Sequence, residues 1–222
     1  MIENLPLALP IIFILIVIIT IVWFYLASKS RTFLIIVTSW TIIQSALSIN
    51  GFFQHTESNP PRLILYGVFP AIIAIITTFL TKRGRTFINK INLKTLTYFH
   101  SIRIPVEIIL SLLFHYGAVS VYMTFEGTNF DIISGLSAPV IAYLAFRSTP
   151  NKKLLISWNI ICLLLLLNVV ITAIFAFPSP FQKLAFNQPN LAVLYFPYSL
   201  LPTLIVPIVI FSHLIAIKRL NK

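Results

Sequence analysis

The chain has 222 residues, of which 58% are hydrophobic and only 9% are charged. An ordinary soluble domain carries about 25% charged residues, so this composition excludes a water-soluble globule and predicts an integral membrane protein. The single cysteine, Cys162, excludes a disulfide within one chain and a metal site built from several cysteines.

Seven apolar stretches predict an all-α fold of seven transmembrane helices, since about 20 residues cross a hydrocarbon core about 30 Å thick. The fifth stretch is short and contains Gly135 and Pro139. The first is predicted to be a span rather than a cleaved signal peptide, because Glu3 precedes it where a signal peptide has basic residues. The predicted spans cover residues 7–27, 32–53, 63–80, 96–121, 132–146, 154–177 and 191–217.

The net charge of +11 comes from cations that are concentrated in alternate connections between the predicted spans. Thirteen of the sixteen Lys and Arg residues fall in the first, third and fifth connections and in the C-terminal tail, whereas Arg62 and Lys183 lie in the other connections. This asymmetry predicts an outside N-terminus and a cytoplasmic C-terminus. Topology therefore accounts for the basic charge, with anionic-lipid binding by the third connection as a secondary effect and no nucleic-acid partner. The thirteen are Lys29, Arg31, Lys82, Arg83, Arg85, Lys90, Lys94, Arg147, Lys152, Lys153, Lys218, Arg219 and Lys222.

The second and sixth spans share a pattern at a constant offset of 118 residues, and the following spans share one at 128, with one or two residues of slippage at Tyr66, Phe69 and Pro70. We interpret the matches as an internal duplication, although apolar sequences also produce chance matches. The single membrane domain 1–222 would then contain two parallel three-helix repeats, 7–80 and 132–217, joined by the linker helix 96–121. The matches pair Ser39, Trp40, Ile42, Ile43, Asn50, Asn59, Pro61, Leu63, Tyr66, Phe69 and Pro70 with Ser157, Trp158, Ile160, Ile161, Asn168, Asn187, Pro189, Leu191, Tyr195, Phe196 and Pro197.

This 3+1+3 layout resembles the SWEET sugar transporters, and its helix count and orientation also resemble microbial rhodopsins. The Pro-Gln dipeptide of the SWEET-related PQ-loop proteins is missing, and the seventh span has no interior Lys for a retinal Schiff base. The likeness concerns layout alone, and a layout does not assign a substrate.

Three short segments, 103–107 (Arg-Ile-Pro-Val-Glu), 123–127 (Met-Thr-Phe-Glu-Gly) and 129–131 (Asn-Phe-Asp), resemble a family of bacterial seven-span integral membrane proteins. The resemblance extends over most of the chain. It implies a multi-pass protein of the bacterial plasma membrane and brings no activity with it.

The fourth span carries the most informative polar residues. His100, Arg103, Glu107 and Ser111 fall in one sector of the helix, which we expect to face the bundle interior. Ionisable groups at membrane depth are costly unless paired or hydrated, so we expect Arg103 and Glu107 to pair with each other. Two roles stay open: a structural ion pair, or a site where Glu107 exchanges a proton or cation while Arg103 binds an anionic ligand. Pro105 predicts a kink beside the pair.

The seventh span contains Pro197, Pro202 and Pro207, which deprive the carbonyls of Val193, Tyr198 and Thr203 of their usual helical partners. Freed carbonyls bind ions or solutes in transporters, so Tyr198 and Thr203 are candidate site residues, as is Asn168 in the middle of the sixth span. The alternatives are a merely curved helix and an Asn168 that joins two helices.

Histidines and acids offer two weaker candidate sites. His100 and His213 lie near the cytoplasmic ends of their spans and His55 and His115 near the outer face. Two axial haem ligands must face each other across a bundle, and similar depth among four histidines is weak evidence for that, so we do not expect a haem. A metal site in the outer connection is also a weak candidate, since Gly127 in a turn and a helix cap by Asp131 or Asn129 are the ordinary explanation of that segment. Its ligands would be Glu126 and Asp131 with His115 or His55.

Common enzyme signatures such as GxSxG, HExxH, the Walker loop and GxGxxG are absent from the sequence. We therefore expect a small-solute transporter or permease with a polar site at the membrane midplane. A membrane-embedded enzyme acting on a lipid or isoprenoid, and a sensor or scaffold without turnover, remain the alternatives. Whether the chain is an enzyme stays open, with the balance against it.

Overall fold

The computed structural model describes residues 5–147 and 149–221, and in these ranges the chain is all-α without a strand. Three of the helices change their hydrogen-bonding pattern along their length. The helix Leu63–Leu80 begins with the π-helical turn Leu63–Val68, the helix Leu93–His115 contains the 3₁₀ turn His100–Ile102, and the helix Leu201–Leu220 begins with the π-helical turn Leu201–Ile205. The helices are α1 (Ala8–Ser28), α2 (Arg31–Ile49), α3 (Leu63–Leu80), α4 (Lys82–Lys90), α5 (Leu93–His115), α6 (Ile132–Ala145), α7 (Lys152–Ala176) and α8 (Leu201–Leu220).

Six of these helices, α1, α2, α3, α5, α7 and α8, are long and apolar enough to cross a membrane. Helix α6 is apolar but has only 14 residues. At about 1.5 Å per residue it is about 21 Å long, which is less than a hydrocarbon core of about 30 Å. The predicted fifth span is therefore present as a helix, but it is too short to cross by itself.

The predicted boundaries agree with the structure at α3 and differ elsewhere. The second span ends at Ile49 instead of Phe53, and the fourth runs Leu93–His115 because the Asn92 side chain accepts a hydrogen bond from the Thr95 amide and caps its start. The last helix begins at Leu201 rather than at residue 191. Pro197 lies before it, and a proline disfavours helical backbone at the residue that precedes it.

The helices differ in how deeply they are buried. Two thirds of the apolar part of α5 and of α8 is buried, compared with 11% of α3 and 17% of α2. Helix α5 packs against α1 on one side and α6 on another, in a core that includes Phe24, Phe99 and Ile109. It is thus the central helix, whereas α2 and α3 expose most of their surface.

The basic connections meet at one end of the bundle, which we call the basic end. The Asn92 amide donates to the Ala27 carbonyl, and the Arg219 guanidinium donates to the Ile91 carbonyl. Leu93, at the start of α5, packs against the cluster formed by Ala145, Leu155, Ala216 and Leu220. At the opposite end, connection 116–131 is bonded to connection 177–200, for example through the Ser120 amide and the Asn190 side chain.

Helix α4 is a short amphipathic helix in the third connection, where the sequence predicted only a basic loop. Thr81 caps it by accepting a hydrogen bond from the Gly84 amide. Its Ile88 is buried, and its cations Lys82, Arg83, Arg85 and Lys90 are exposed. The helix therefore lies on the basic end with its apolar face against the bundle.

Helices α3 and α8 share an unusual construction. Each begins with a π-helical turn and continues as an α-helix with a proline in its first turn, Pro70 in α3 and Pro207 in α8. The sequence pairs Pro70 with Pro197, but Pro197 lies outside α8. The register expected for the duplication is therefore wrong at this point, and the duplication itself stays a prediction.

Candidate functional site

The polar stripe on α5 faces the interior, as the helical periodicity predicts. His100, Arg103, Glu107 and Ser111 are each at most 7% exposed. The 3₁₀ turn at His100–Ile102 precedes Arg103, and Pro105 lies within the helical turn that follows. Four polar groups are thus held along one side of the central helix.

The connection from α5 to α6 runs antiparallel to this stripe and meets it residue by residue. The Ser111 hydroxyl donates to Glu126 Oε1 at 3.2 Å, Asn129 Nδ2 donates to Glu107 Oε2 at 2.7 Å, and Arg103 donates to Asp131 Oδ1 at 2.7 Å. The exposed Glu126 therefore leads to a buried Asn129 and Asp131. The connection descends into the bundle, and α6 begins at the level of Arg103.

The backbone of the descending connection is hydrogen bonded to a side chain of the same connection. Asn129 Nδ2 also donates to the Met123 carbonyl at 2.9 Å, and Asn129 Oδ1 accepts from the Asp131 amide at 2.9 Å. Buried non-helical backbone needs such internal partners, because an unpaired buried polar group is costly. Asn129 therefore supplies hydrogen-bond partners both to the backbone of this segment and to the Glu107 carboxylate.

The expected pairing of Arg103 with Glu107 is wrong. Arg103 forms its ion pair with Asp131, whereas Glu107 has the neutral side chain of Asn129 as its partner and forms no ion pair among the described residues. An Arg four residues before a Glu is the less favourable order on a helix, and the facing connection supplies a carboxylate closer to the guanidinium. Asp131 occupies the N-cap position of α6 but makes no capping bond with its side chain, so the cap expected of it is also wrong. Its Oδ1 instead accepts from Arg103 and from the Ser134 hydroxyl.

A hydrogen-bond chain continues from Arg103 into α8 and α7. Arg103 Nη2 lies 2.8 Å from His213 Nε2, and His213 Nδ1 lies 2.8 Å from Asn159 Oδ1. Because a guanidinium can only donate, His213 Nε2 accepts, and its proton is assigned to Nδ1, which donates to Asn159. The buried imidazole is therefore neutral and joins three helices.

His100 and His213 lie together, as their similar depth in the sequence allowed. Their rings stack with centroids 4.0 Å apart, and Trp158 and His100 pack edge to face. Both ring nitrogens of His213 are hydrogen bonded. The two imidazoles stack directly on each other, which leaves no space for a haem between them. Axial haem ligands bind iron through ring nitrogens from opposite faces of the haem, so this pair lacks that geometry.

The candidate residues Asn168, Tyr198 and Thr203 do not join the cluster. Asn168 is exposed and donates to the Thr128 carbonyl. Tyr198 is buried against Phe13, with no partner for its hydroxyl among the described residues. Its carbonyl accepts from the Leu201 amide, so that carbonyl is not free.

The carbonyl of Thr203 is freed from its helical partner by Pro207, as predicted. It accepts a hydrogen bond from the Trp40 indole at 2.9 Å. The Thr203 hydroxyl donates to the Ser199 carbonyl. Thr203 is therefore fully engaged in joining α2 to α8 rather than in presenting oxygens to a ligand.

The three weak metal candidates are separated. His115 Nε2 and Glu126 Oε1 lie 3.5 Å apart, and their side chains are 58% and 41% exposed. Asp131, in contrast, is buried and paired with Arg103. Among residues 5–147 and 149–221, no three His, Cys, Asp or Glu side chains are grouped to hold a metal ion. The hypothetical metal site in this connection is not assembled.

Several members of the cluster were missed as site residues by the sequence. Asn159 and Ser134 are buried, and Trp158 donates to the Ser137 hydroxyl. A detectable signal existed: Asn159 is polar within an otherwise apolar stretch of α7. In the sequence, Trp158 stands out for the duplication alone, and Asn129 for the family resemblance and as a possible helix cap.

A central cavity of about 150 Å³ borders the cluster. It lies between α5, α7 and the π-helical starts of α3 and α8, and most of its wall is aliphatic, with Ile102, Leu166 and Val209 as examples. The charged residues on the wall are Arg103, Glu107 and Asp131, and Asn190 lies on the wall as well. Arg103 Nε is buried without a partner among the described residues. A ligand in this space would therefore meet apolar walls and one charged side.

Comparison with known proteins places the cluster inside a defined family. The family described as "Domain of unknown function (DUF8737)" matches residues 60–221, which include every residue of the polar cluster and all of α3 to α8. No curated protein and no solved structure matches the chain. Because the match covers well over half of its length, the chain belongs to the DUF8737 family.

Proposed function

We propose that this protein is a transporter or permease of the plasma membrane that moves a small solute through the central cavity. The positive charge of the first, third and fifth connections supports an outside N-terminus and a cytoplasmic C-terminus. The meeting of these connections at one end of the bundle supports the same orientation.

The proposal includes a seventh, broken crossing made of residues 126–131 together with α6. Glu126 contacts the outer turn of α5 at Ser111, and Asp131 contacts Arg103 further in. From there α6 runs to the basic end, where Ala145 packs with Leu155 and Leu220. Irregular backbone at membrane depth is found where it is buried in protein or lines a cavity, and broken spans recur at transport sites.

The observation that carries the proposal is the cavity with Glu107 on its wall. Its volume of about 150 Å³ matches cavities of about 150 Å³ that hold benzene, so the solute is small. The charge of Arg103 is balanced by Asp131, but Glu107 has a neutral partner. An ionised carboxylate at this depth has a high free energy. Binding either a proton or a cationic solute neutralises the charge and lowers that free energy. Glu107 is therefore the coupling site.

The test uses purified protein in vesicles that contain a pH-sensitive dye, with an imposed proton gradient. The probes are radiolabelled tetramethylammonium, acetate and glycerol. We expect tetramethylammonium uptake above that of protein-free vesicles, and Glu107→Gln should lower it about tenfold or more because the exchangeable charge is gone. Glu126→Gln, in the exposed acid of the same connection, is the matched control and should keep the uptake.

Two results oppose the proposal. Uptake of all three probes equal to that of protein-free vesicles would overturn transport of a small solute. Uptake that Glu107→Gln leaves unchanged would remove Glu107 from the mechanism.

One observation favours a second function, a membrane-embedded enzyme acting on a lipid or isoprenoid. That function requires polar groups near His100 and His213, and Asn159, Arg103 and Trp158 do gather there. Both histidines are at most 1% exposed, and the described wall of the central cavity includes neither. Mass spectrometry of lipid extracts incubated with the protein would separate the two functions, since only an enzyme changes the lipid masses.

A further inference from the structure

A second apolar space lies between α2 and α3. It measures about 500 Å³, and its floor is formed by α8 residues such as Leu204, Ile208 and Phe211. Its sides include Ile35, Ile36 and Ile43 of α2, which are between 52% and 66% exposed. Residues that line a space and are exposed at the same time show that it opens sideways, so it is a groove on the membrane-facing surface of the bundle.

The two ends of this α2/α3 groove differ. At one end the Trp40 indole is bonded to the Thr203 carbonyl. At the other end the rings of Phe33, Phe87 and Phe211 stack in a row, with centroids 5.7 and 6.4 Å apart. Phe87 belongs to α4, so the amphipathic helix closes the groove at the basic end.

Exposed arginines stand at that closed end. Arg83 lies four residues before Phe87 on α4, and Arg31 lies four residues before Ile35 on α2, so each lies on the same helix face as a residue of the groove wall. The sequence has no acidic residue between Glu57 and Glu107. In the described ranges neither arginine forms an ion pair. The groove therefore combines a long apolar wall with unbalanced positive charge at one end.

This combination matches the chemistry of an anionic phospholipid. We propose that the α2/α3 groove binds one acyl chain of an anionic phospholipid, with the phosphate of its headgroup at Arg31 and Arg83. The volume falls within the range of about 300–1,000 Å³ that is usual for small-molecule sites. Basic clusters next to membrane helices attract anionic headgroups of the cytoplasmic leaflet. The site is independent of the central cavity and of any transport through it.

Trp40 lines the groove and reports on its occupant. The protein in detergent micelles is titrated with phosphatidylglycerol or phosphatidylcholine whose acyl chains carry bromine, which quenches indole fluorescence on contact. The Trp40 signal is obtained by subtracting the fluorescence of Trp40→Phe protein. We expect phosphatidylglycerol to quench Trp40 at a mole fraction about tenfold lower than phosphatidylcholine, from the charge of two arginines.

Matched variants separate this site from general surface charge. Arg31→Gln with Arg83→Gln should abolish the difference between the two lipids, whereas Arg31→Lys with Arg83→Lys should keep it. Lys152→Gln with Lys153→Gln, at the start of α7, removes the same charge away from the groove and should keep it too. Ala74→Phe narrows the groove from an exposed position and should weaken quenching by both lipids.

Three outcomes would overturn the proposal. The first is equal quenching of the unmodified protein by the two lipids. The second is a lipid preference that survives the loss of both arginines or disappears equally with Lys152 and Lys153. The third is a Trp40 that no lipid quenches, as happens when a second copy of the chain covers the groove; cross-linking would identify that copy.

Discussion

Arg103 on the central helix donates to Asp131 across 2.7 Å, and both side chains are at most 6% exposed. Asp131 immediately precedes α6, so the pair joins α5 to the point where the non-helical connection ends and α6 begins. The same guanidinium also donates to His213, so one side chain holds three parts of the bundle together. The position of α6 therefore depends on a charge pair rather than on apolar contact alone.

Replacing Asp131 by Asn should strongly destabilise the fold. The change leaves the Arg103 guanidinium buried without a counter-charge, and breaking a buried pair in this way costs about 3–5 kcal/mol. The free energy of unfolding is measured by denaturant titration in detergent micelles. Glu126→Gln is the control, and because Glu126 is exposed it should change the free energy by about 1 kcal/mol or less. Equal effects of the two substitutions would contradict the role given to the pair.

Replacing Asn129 by Ala should destabilise the connection between α5 and α6. The variant removes the donor to Glu107 and leaves the Asp131 amide and the Met123 carbonyl without their partners, at about 1–3 kcal/mol for each unsatisfied group. Asn50→Ala is the matched control, because Asn50 is exposed and its side chain donates to the Ala46 carbonyl of α2, away from this connection. Hydrogen exchange of residues 123–131 should accelerate in the first variant and stay unchanged in the second. Acceleration in both would show that the effect is not local.

The proton of His213 should reside on Nδ1. Nitrogen-15 NMR of histidine-labelled protein distinguishes this neutral tautomer from the Nε2-protonated one and from the imidazolium. Asn159→Leu removes the acceptor of Nδ1 and should change the His213 signals, whereas Asn168→Leu should leave them unchanged. An imidazolium signal for His213 at neutral pH would contradict the arrangement, because Arg103 has no acceptor to offer.

The bond from Trp40 to Thr203 should contribute more to stability while Pro207 is present. Trp40→Phe removes the donor to a carbonyl that Pro207 has freed, at a cost of about 0.5–1.5 kcal/mol. In a Pro207→Ala background the Thr203 carbonyl regains its helical donor, so the same substitution should cost less. A double-mutant cycle of unfolding free energies measures the coupling. Additive effects would show that the indole bond does not compensate the proline.

Much of the helical layout could be predicted from apolar runs and periodicity. Helix α3 has the predicted bounds, and the stripe from His100 to Ser111 faces the interior, because a helical period identifies which residues share a face. The period does not identify what lies opposite that face. The partner of Arg103 is 28 residues away in a segment without periodicity, so the sequence indicates for Asp131 only a helix cap or a weak metal ligand.

The errors in the candidate site have physical reasons of the same kind. Asn168 lies in the middle of an apolar helix, where a polar residue is expected to face inward, but its amide reaches a loop carbonyl from an exposed position. Pro207 removes the usual helical donor to the Thr203 carbonyl, as predicted, but the Trp40 indole of α2 donates to that carbonyl instead. Pairings between distant segments depend on how far each side chain extends and on what lies opposite it. The neighbouring residues in the sequence do not show either.

The short helix α6 has a consequence for biosynthesis. A helix of 14 residues is shorter than the roughly 20 residues that enter a bilayer on their own, and α5 carries Arg103 and Glu107, each of which opposes entry. The two segments follow each other along the chain, and the charge on one is neutralised by Asp131 at the head of the other. We therefore expect the translocon to release α5 and α6 into the lipid as a single hairpin, with the ion pair already closed, rather than as two successive insertions.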